Sequence, residues 1–538
     1  MNGAEHLVHT LLAGDVDVCF TNPGTSEMHF VAALDRIDGM RCVLGLFEGV
    51  VTGAADGYWR IARKPASTLL HLGPGLANGL ANLHNARKAR SGIVNIVGEH
   101  ASYHVALDAP LTSDIEGLAR PMSHWVRTSR SAESITADGA DAIVQAQQPP
   151  GRIASLILPA DTAWNAVADA DGATARARAE LSARIAQARV AKPVSQEAVR
   201  AAARELTRGE PALLLLGGQA LSESALAIAG RIAAKTGCKL MSEFYTARLA
   251  RGAGRVLAPR LPYVVDAALA ALAPFRRVVM VGATRPVSFF AYPDKPSLMA
   301  PDACVLSTLA GVDEDLEGAL QALADELGAS SLAPAGVVAR AGASAAGSAA
   351  GGGGALPTGA VTPEGIAAVL TALIPENAIV VDESVTTGRA FGAGTAGAAP
   401  HDWLTAMGGS IGFAMPVAVG AAIAAPQRRV LVLEGDGSGM YTLQALWTMA
   451  REGLNATVVI FANRAYRILR GELAGVGAGT PGPRAAQMLD LDRPDLDWVS
   501  LARGMGVPAT RAAELGEFAA QLRASLAQPG PSLIELVL

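Results

Sequence analysis

Asp436 and Asn463 stand 27 residues apart, framed as Glu434-Gly-Asp-Gly-Ser438 and Phe461-Ala-Asn-Arg464. Each follows an apolar run, residues 430–433 and 457–462, with a helix-patterned stretch between them. A carboxylate after one strand and an amide after the next meet at one sheet edge if the strands are parallel neighbours. Together they offer hard oxygen ligands to a divalent cation, whose remaining octahedral positions suit phosphate oxygens and water. Gly435 and Gly437 allow close backbone approach where a Cβ would obstruct it, and Ser438 comes next. Gly-Asp-Gly alone reads as a tight turn; paired with Asn463 it reads as the grip of a diphosphate-cofactor enzyme. The helix expected near residues 442–452, stopped by Gly453, would direct its first amides at this loop.

A second acid lies far upstream. Glu48 interrupts the apolar run Cys42-Val-Leu-Gly-Leu-Phe-Glu-Gly-Val-Val51. A carboxylate there is costly unless it is paired, protonated or hydrogen-bonded to a ligand; the plainer reading is a strand-to-helix junction residue that reaches solvent. His71 closes the strand-like run 67–71. A lone histidine in that place is usually structural, but opposite a carboxylate it becomes a proton shuttle. Thr25 sits in Thr21-Asn-Pro-Gly-Thr-Ser-Glu27, by itself an ordinary turn.

The elements that must position these residues emerge from pattern. Runs of about five apolar residues recur at 16–20, 67–71, 93–97 and 155–158, then at 212–216 and 277–281, then at 378–381, 430–433, 457–462 and 532–536. Helix-like stretches separate them, which indicates parallel sheets covered on both faces. A polar Ala/Arg-rich run at 173–193 and a Gly/Ala/Ser tract within 333–358 read as linkers. The expectation is an α/β chain of three doubly wound parallel-sheet domains, 1–172, 190–330 and 356–538, with ligands beyond the carboxyl ends of strands.

Composition narrows the class. The 538 residues are half apolar with a formal charge of −5, which leaves no basic footprint for nucleic acid or an anionic membrane. No apolar stretch approaches the ~18 residues that span a bilayer, and the start lacks a secretory pattern, so a cytoplasmic protein is expected. Cys19, Cys42, Cys238 and Cys304 lack metal-site spacing and read as plain thiols.

Gly435-Asp436-Gly437, the 27-residue gap and Asn463 resemble the thiamine diphosphate signature of the 2-oxo-acid decarboxylase and acetohydroxyacid synthase superfamily. The resemblance implies a pyrimidine-binding first domain, a central domain and a diphosphate-binding third domain. It implies Mg2+ held by Asp436, Asn463 and the Ala465 carbonyl, although the usual Asn-Asn pair is Ala462-Asn463 here. Ser384, Thr386 and Thr387 resemble a second diphosphate loop, with a turn or helix cap as the alternative. Ile411, in Gly408-Gly-Ser-Ile-Gly-Phe-Ala-Met-Pro416, matches the wedge under the bent cofactor; unaided it reads as core. Glu48 then hydrogen-bonds the pyrimidine N1′, favouring the imino form that removes the C2 proton. Glu48 and Asp436 lie in different domains, and in this family the cofactor sits between subunits. A homodimer, often paired into a tetramer, is therefore implied.

Thr25 and His71 resemble the substrate-carboxylate and proton-transfer residues of benzoylformate decarboxylases. The segment Pro286-Val-Ser-Phe-Phe-Ala-Tyr292 lacks those enzymes' second histidine; His100 and His104 are weak substitutes. Tyr466, Ile468 and Leu469 resemble the substrate-side helix, with Ile468 suggesting a smaller substrate. Arg464, Arg467 and Arg470 form a stripe that is either solvated or, at Arg467, a carboxylate reader. The leading expectation is decarboxylation of a 2-oxo acid, then protonation or ligation to a carbonyl acceptor. The alternative is acetolactate synthase; a non-catalytic cofactor-binding homologue comes third. FAD is not expected, because Leu216-Gly-Gly-Gln219 is a common strand-end loop.

Overall fold

The computed structural model describes residues 1–167, 172–341 and 356–538. The chain builds three predominantly parallel sheets with helices on their faces, which is the expected α/β class. The first contains β1 (Val18–Asn22), β2 (Arg41–Leu44), β3 (Ala66–Leu70), β4 (Ile93–Glu99), β5 (Trp125–Thr128) and β6 (Ile153–Pro159), in the order β2-β1-β3-β4-β6-β5. The second contains β7 (Ala212–Leu216), β8 (Lys239–Ser242), β10 (Arg277–Val281) and β11 (Val305–Ala310), ordered β11-β10-β7-β8.

The third sheet runs β16-β17-β15-β14-β12-β13-β9. Its parallel members are β12 (Ile379–Glu383), β13 (His401–Thr405), β14 (Val430–Gly435), β15 (Ala456–Ala462), β16 (Ala509–Ala512) and β17 (Ser532–Val537). Its edge is β9 (Leu249–Arg251), which comes from the middle of the chain and pairs antiparallel with β13. Every residue of β3, β6, β7 and β15 is buried, as sheets covered on both faces require.

Two expectations shift in detail. The run 16–20 becomes a strand only from Val18, and His71 lies just past β3, where the helix Leu72–Ala89 begins. The Ala/Arg-rich run is not a bare connection: it folds as the helix Ala173–Ala188, whose Leu181 and Ile185 join the core beside the helix Ile135–Gln147. Arg184 pairs with Asp141 at 2.6 Å, fixing that helix further. Much of the Gly/Ala/Ser tract, residues 342–355, lies outside the described residues.

The first and third sheets are joined by two helices. Glu48–Ala62 repeats glycine at 49, 53 and 57, and Ala414–Ala424 carries Gly420. A Cβ on Gly57 would sit 2.0 Å from the Val417 carbonyl oxygen, and one on Gly420 1.8 Å from that of Ala54. Backbone therefore lies on backbone, and the buried Asp56–Arg60 pair (2.7 Å) is sealed in, with Arg60 donating to the Thr405 carbonyl at 2.8 Å. This contact fixes the turn carrying Glu48 relative to the third sheet.

Candidate active site

Three adjacent strands of the first sheet, β2, β1 and β3, end side by side, and each is followed by one of the expected residues. Glu48 opens its helix after β2, Thr25 lies after β1, and His71 comes after β3. Glu48 is buried, not reaching solvent, and its Oε2 accepts a hydrogen bond from Asn78 Nδ2 at 3.0 Å. Gly75 lies between Glu48 and His71: a Cβ there would be 3.1 Å from Glu48 Oε1 and 3.3 Å from His71 Cβ. Thr25 is exposed on the loop that touches the imidazole, since a Cβ on Gly24 would overlap the His71 ring.

Glu27, given no role from sequence, completes this group. It is fully buried, and its Oε2 lies 2.8 Å from His71 Nδ1 and accepts the Gly24 N–H at 2.7 Å. Among the described residues its Oε1 has no hydrogen-bond partner, and it faces the backbone of Gly98, where even a Cβ would collide. Burial pushes the Glu27 carboxyl above the usual range, opposed by His71 and the Gly24 amide. The sequence signal was the three-residue spacing from Gly24 to Glu27, which reads as local capping and says nothing of His71. His100 and His104 lean on each other, ring centroids 5.2 Å apart, and neither is hydrogen-bonded to Glu48 or His71.

In the third sheet, β14 and β15 are parallel neighbours, so Asp436 and Asn463 leave the same edge. Asp436 accepts the N–H groups of Gly437 (2.9 Å) and Arg464 (2.5 Å), and Asn463 Oδ1 accepts that of Ala465 (3.0 Å). Burial pushes the Asp436 carboxyl up against those amides. The short helix Asp436–Gly439 starts at once, so Gly437 and Ser438 are helical; the longer helix is Ala445–Arg451. Gly435 is the N-cap of the short one. A Cβ on Gly437 would be 2.6 Å from the Tyr466 ring, which thus lies over this turn.

The remaining loops converge on the same edge. Ile411 is half-buried between Gly409 and Gly412, both at positive φ (71° and 85°), conformations that favour glycine. Glu383 anchors the start of the helix Ala414–Ala424 by accepting the N–H groups of Gly412 (3.1 Å), Phe413 (2.7 Å) and Ala414 (2.9 Å). Its register partner Glu434 is also buried; burial raises Glu383 to about 7, and burial together with the neighbouring Glu383 charge raises Glu434, so the pair favours keeping a proton. Sequence reasoning assigned no role to either acid.

Ser384 turns its hydroxyl to Asp382, while Thr386 precedes the turn Thr387–Ala390. Thr386, Thr387 and Ile468 line one cavity of about 330 Å3, together with Arg389 and Arg467. Leu469 is exposed. On the same helix, Glu472 accepts hydrogen bonds from Tyr263 (3.1 Å) and Tyr292 (2.7 Å), tying it to the middle of the chain. Where the histidine is missing, Phe289 packs on the backbone of Gly409.

The description "Thiamine pyrophosphate enzyme, N-terminal TPP binding domain" matches residues 1–119, and "Thiamine pyrophosphate enzyme, C-terminal TPP binding domain" matches residues 391–536. A Mycobacterium tuberculosis protein named "Putative acetolactate synthase large subunit IlvX" is 51% identical over 538 residues, covering 100% of this chain and 99% of that one. The chain belongs to the thiamine pyrophosphate enzyme family. Benzoylformate decarboxylase of Pseudomonas aeruginosa is 29% identical across 96% of this chain and 95% of its own. Among solved structures, a thiamine diphosphate-dependent 4-hydroxybenzoylformate decarboxylase of Rhodococcus jostii aligns at a TM-score of 0.81 with 25% identity, covering 99% and 98% of the two chains. This family member is accordingly a thiamine diphosphate-binding enzyme, and no helix among its described residues is long and apolar enough to cross a membrane.

Proposed function

We propose that this enzyme decarboxylates a 2-oxo acid and then protonates the product or joins it to a carbonyl acceptor, in the manner of a benzoylformate decarboxylase. The observation that carries the reading is the Glu27–His71 pair, 2.8 Å between heavy atoms, set beside Glu48. An imidazole fixed by a buried acid is equipped to pass protons at the reacting carbon. Thr25, exposed on the loop against His71, is available to donate to the substrate carboxylate.

The chain's residues suit the cofactor and a magnesium ion. Among the described residues, the buried Asp436 carboxylate is hydrogen-bonded by backbone N–H groups and paired with no cationic side chain, which suits it to a cation. No three His, Cys, Asp or Glu side chains cluster as metal ligands among the described residues. The ion would therefore rest on Asp436, the Asn463 amide oxygen, the Ala465 carbonyl and the diphosphate itself. Ser384, Thr386, Gly435, Gly437, Ser438 and Tyr466 would border the diphosphate, and Ile411 the thiazolium side. Bound there, thiamine diphosphate supplies the carbanion chemistry. Glu48 holds a proton position at the pyrimidine, and Ile468 and Leu469 border the substrate. We place the working enzyme in the cytoplasm as a homodimer or a pair of dimers, so that first- and third-sheet residues of opposite subunits share each cofactor.

A second reading, acetolactate formation from two pyruvates, is favoured by the name of the 51% identical relative. Incubating the enzyme with a panel of 2-oxo acids, with CO2 release and mass-spectrometric product analysis, separates the two. Aldehyde or hydroxyketone from bulkier acids supports the first reading. Acetolactate from pyruvate alone supports the second.

A further inference from the structure

One face of the helix Leu72–Ala89 carries three amides, the exposed Asn78 and the buried Asn82 and Asn85. Each is committed. Asn78 Nδ2 donates to Glu48 Oε2 at 3.0 Å. Asn82 Nδ2 donates to the Gly49 carbonyl at 2.8 Å and to the Gly412 carbonyl at 3.2 Å, so one amide spans from the residue after Glu48 to the residue after Ile411. Asn85 Nδ2 donates to Asn82 Oδ1 (3.0 Å) and to the Ser410 carbonyl (2.8 Å), while its Oδ1 accepts the Ser410 N–H (3.1 Å). His84 Nε2 lies 3.1 Å from the Gly408 carbonyl.

The consequence for Glu48 is specific. A buried carboxylate with free rotation would have several orientations, but one oxygen is tied to Asn78. The other, Oε1, lies beside Gly75, where a Cβ would come within 3.1 Å of it, so glycine leaves room at that oxygen. Resting on the reading of Glu48 as the acid that serves the pyrimidine, we propose that Asn78 is a positioning residue. It leaves Glu48 one oxygen for the cofactor and sets the direction of that oxygen, with Asn82 and Asn85 fixing the same helix to the Ile411 loop.

The test uses the full-length enzyme and two substitutions at one position. Asn78→Leu keeps the branching of the side chain, with somewhat more bulk, and loses the donor; Asn78→Asp keeps the shape and sets a second carboxylate against Glu48. The proton uptake that accompanies thiamine diphosphate and Mg2+ binding is measured by calorimetry in buffers of different ionisation enthalpy, beside the thermal midpoint, cofactor Kd and kcat. For Asn78→Leu we expect proton uptake to change and kcat to fall roughly ten- to hundredfold, as for loss of one charge-assisted hydrogen bond, with cofactor Kd within about threefold of the parent. Asn78→Asp should lose more. Unaltered proton uptake and kcat in both variants would overturn the proposal, whether or not the thermal midpoint falls. Absence of magnesium-dependent cofactor uptake by the unsubstituted enzyme is a different result: it would remove the assignment of Glu48 itself.

Discussion

At the scale of single residues, the site separates a placement readable from spacing and one that is not. Asp436 and Asn463 were legible because each follows an apolar strand and their separation matches one strand–helix–strand unit, which delivers both to a single edge. Glu27 was not, because its partner is 44 positions away and its burial depends on Gly98 having no side chain. These environments dictate two outcomes. Glu48→Gln should lower kcat by roughly a hundredfold or more while leaving cofactor affinity nearly intact, measured by turnover and calorimetry. Glu27→Gln should lower kcat roughly tenfold or more yet stabilise the fold. The Glu27 carboxyl is raised relative to the unfolded chain. Its contribution is therefore complete below the unfolded pKa and is lost as pH rises through the folded one, by up to about 1.4 kcal/mol per pH unit in that window. The stabilisation by Glu27→Gln should consequently be larger at pH 8 than at pH 5, as read from denaturant midpoints.

At the scale of elements, most strands were legible since five-residue apolar runs between helical segments have few other uses in a chain of this length. Their ends moved by a residue or two, as with the start of β1 and the placing of His71 beyond β3. The run 173–193 read as a linker, helical at most, because only a narrow stripe of the helix Ala173–Ala188, Leu181 and Ile185 among charged neighbours, is buried. The glycine seam between Glu48–Ala62 and Ala414–Ala424 escaped for a different reason: glycines spaced by four say that something comes close but not what. That seam permits almost no added volume. Gly420→Val should cost about 1–3 kcal/mol or more in unfolding free energy, and the thermal melt of this variant tests it. Kinetic parameters of any folded fraction should suffer too, because the seam sets the turn bearing Glu48.

At the scale of the whole molecule, the proposed cofactor site draws on parts of the sequence almost 400 positions apart, Glu48 and Asp436, which no local pattern brings together. If the buried Asp436 awaits a cation, stripping divalent ions with EDTA should weaken thiamine diphosphate binding by at least about tenfold, and Mg2+ should restore it, as followed by calorimetry. Cofactor and metal together should raise the melting temperature in proportion to their saturation, and sedimentation should show whether they also draw chains into pairs. The strand β9 bears on how this protein can be re-engineered. Leu249–Arg251 finishes a sheet otherwise made entirely from the last third of the polypeptide. A chimera that swaps in a foreign middle segment wholesale would strip that hem and expose the outer edge of β13, an invitation to sticky association. Grafts that retain these three residues with their host should stay dispersed where complete exchanges clump.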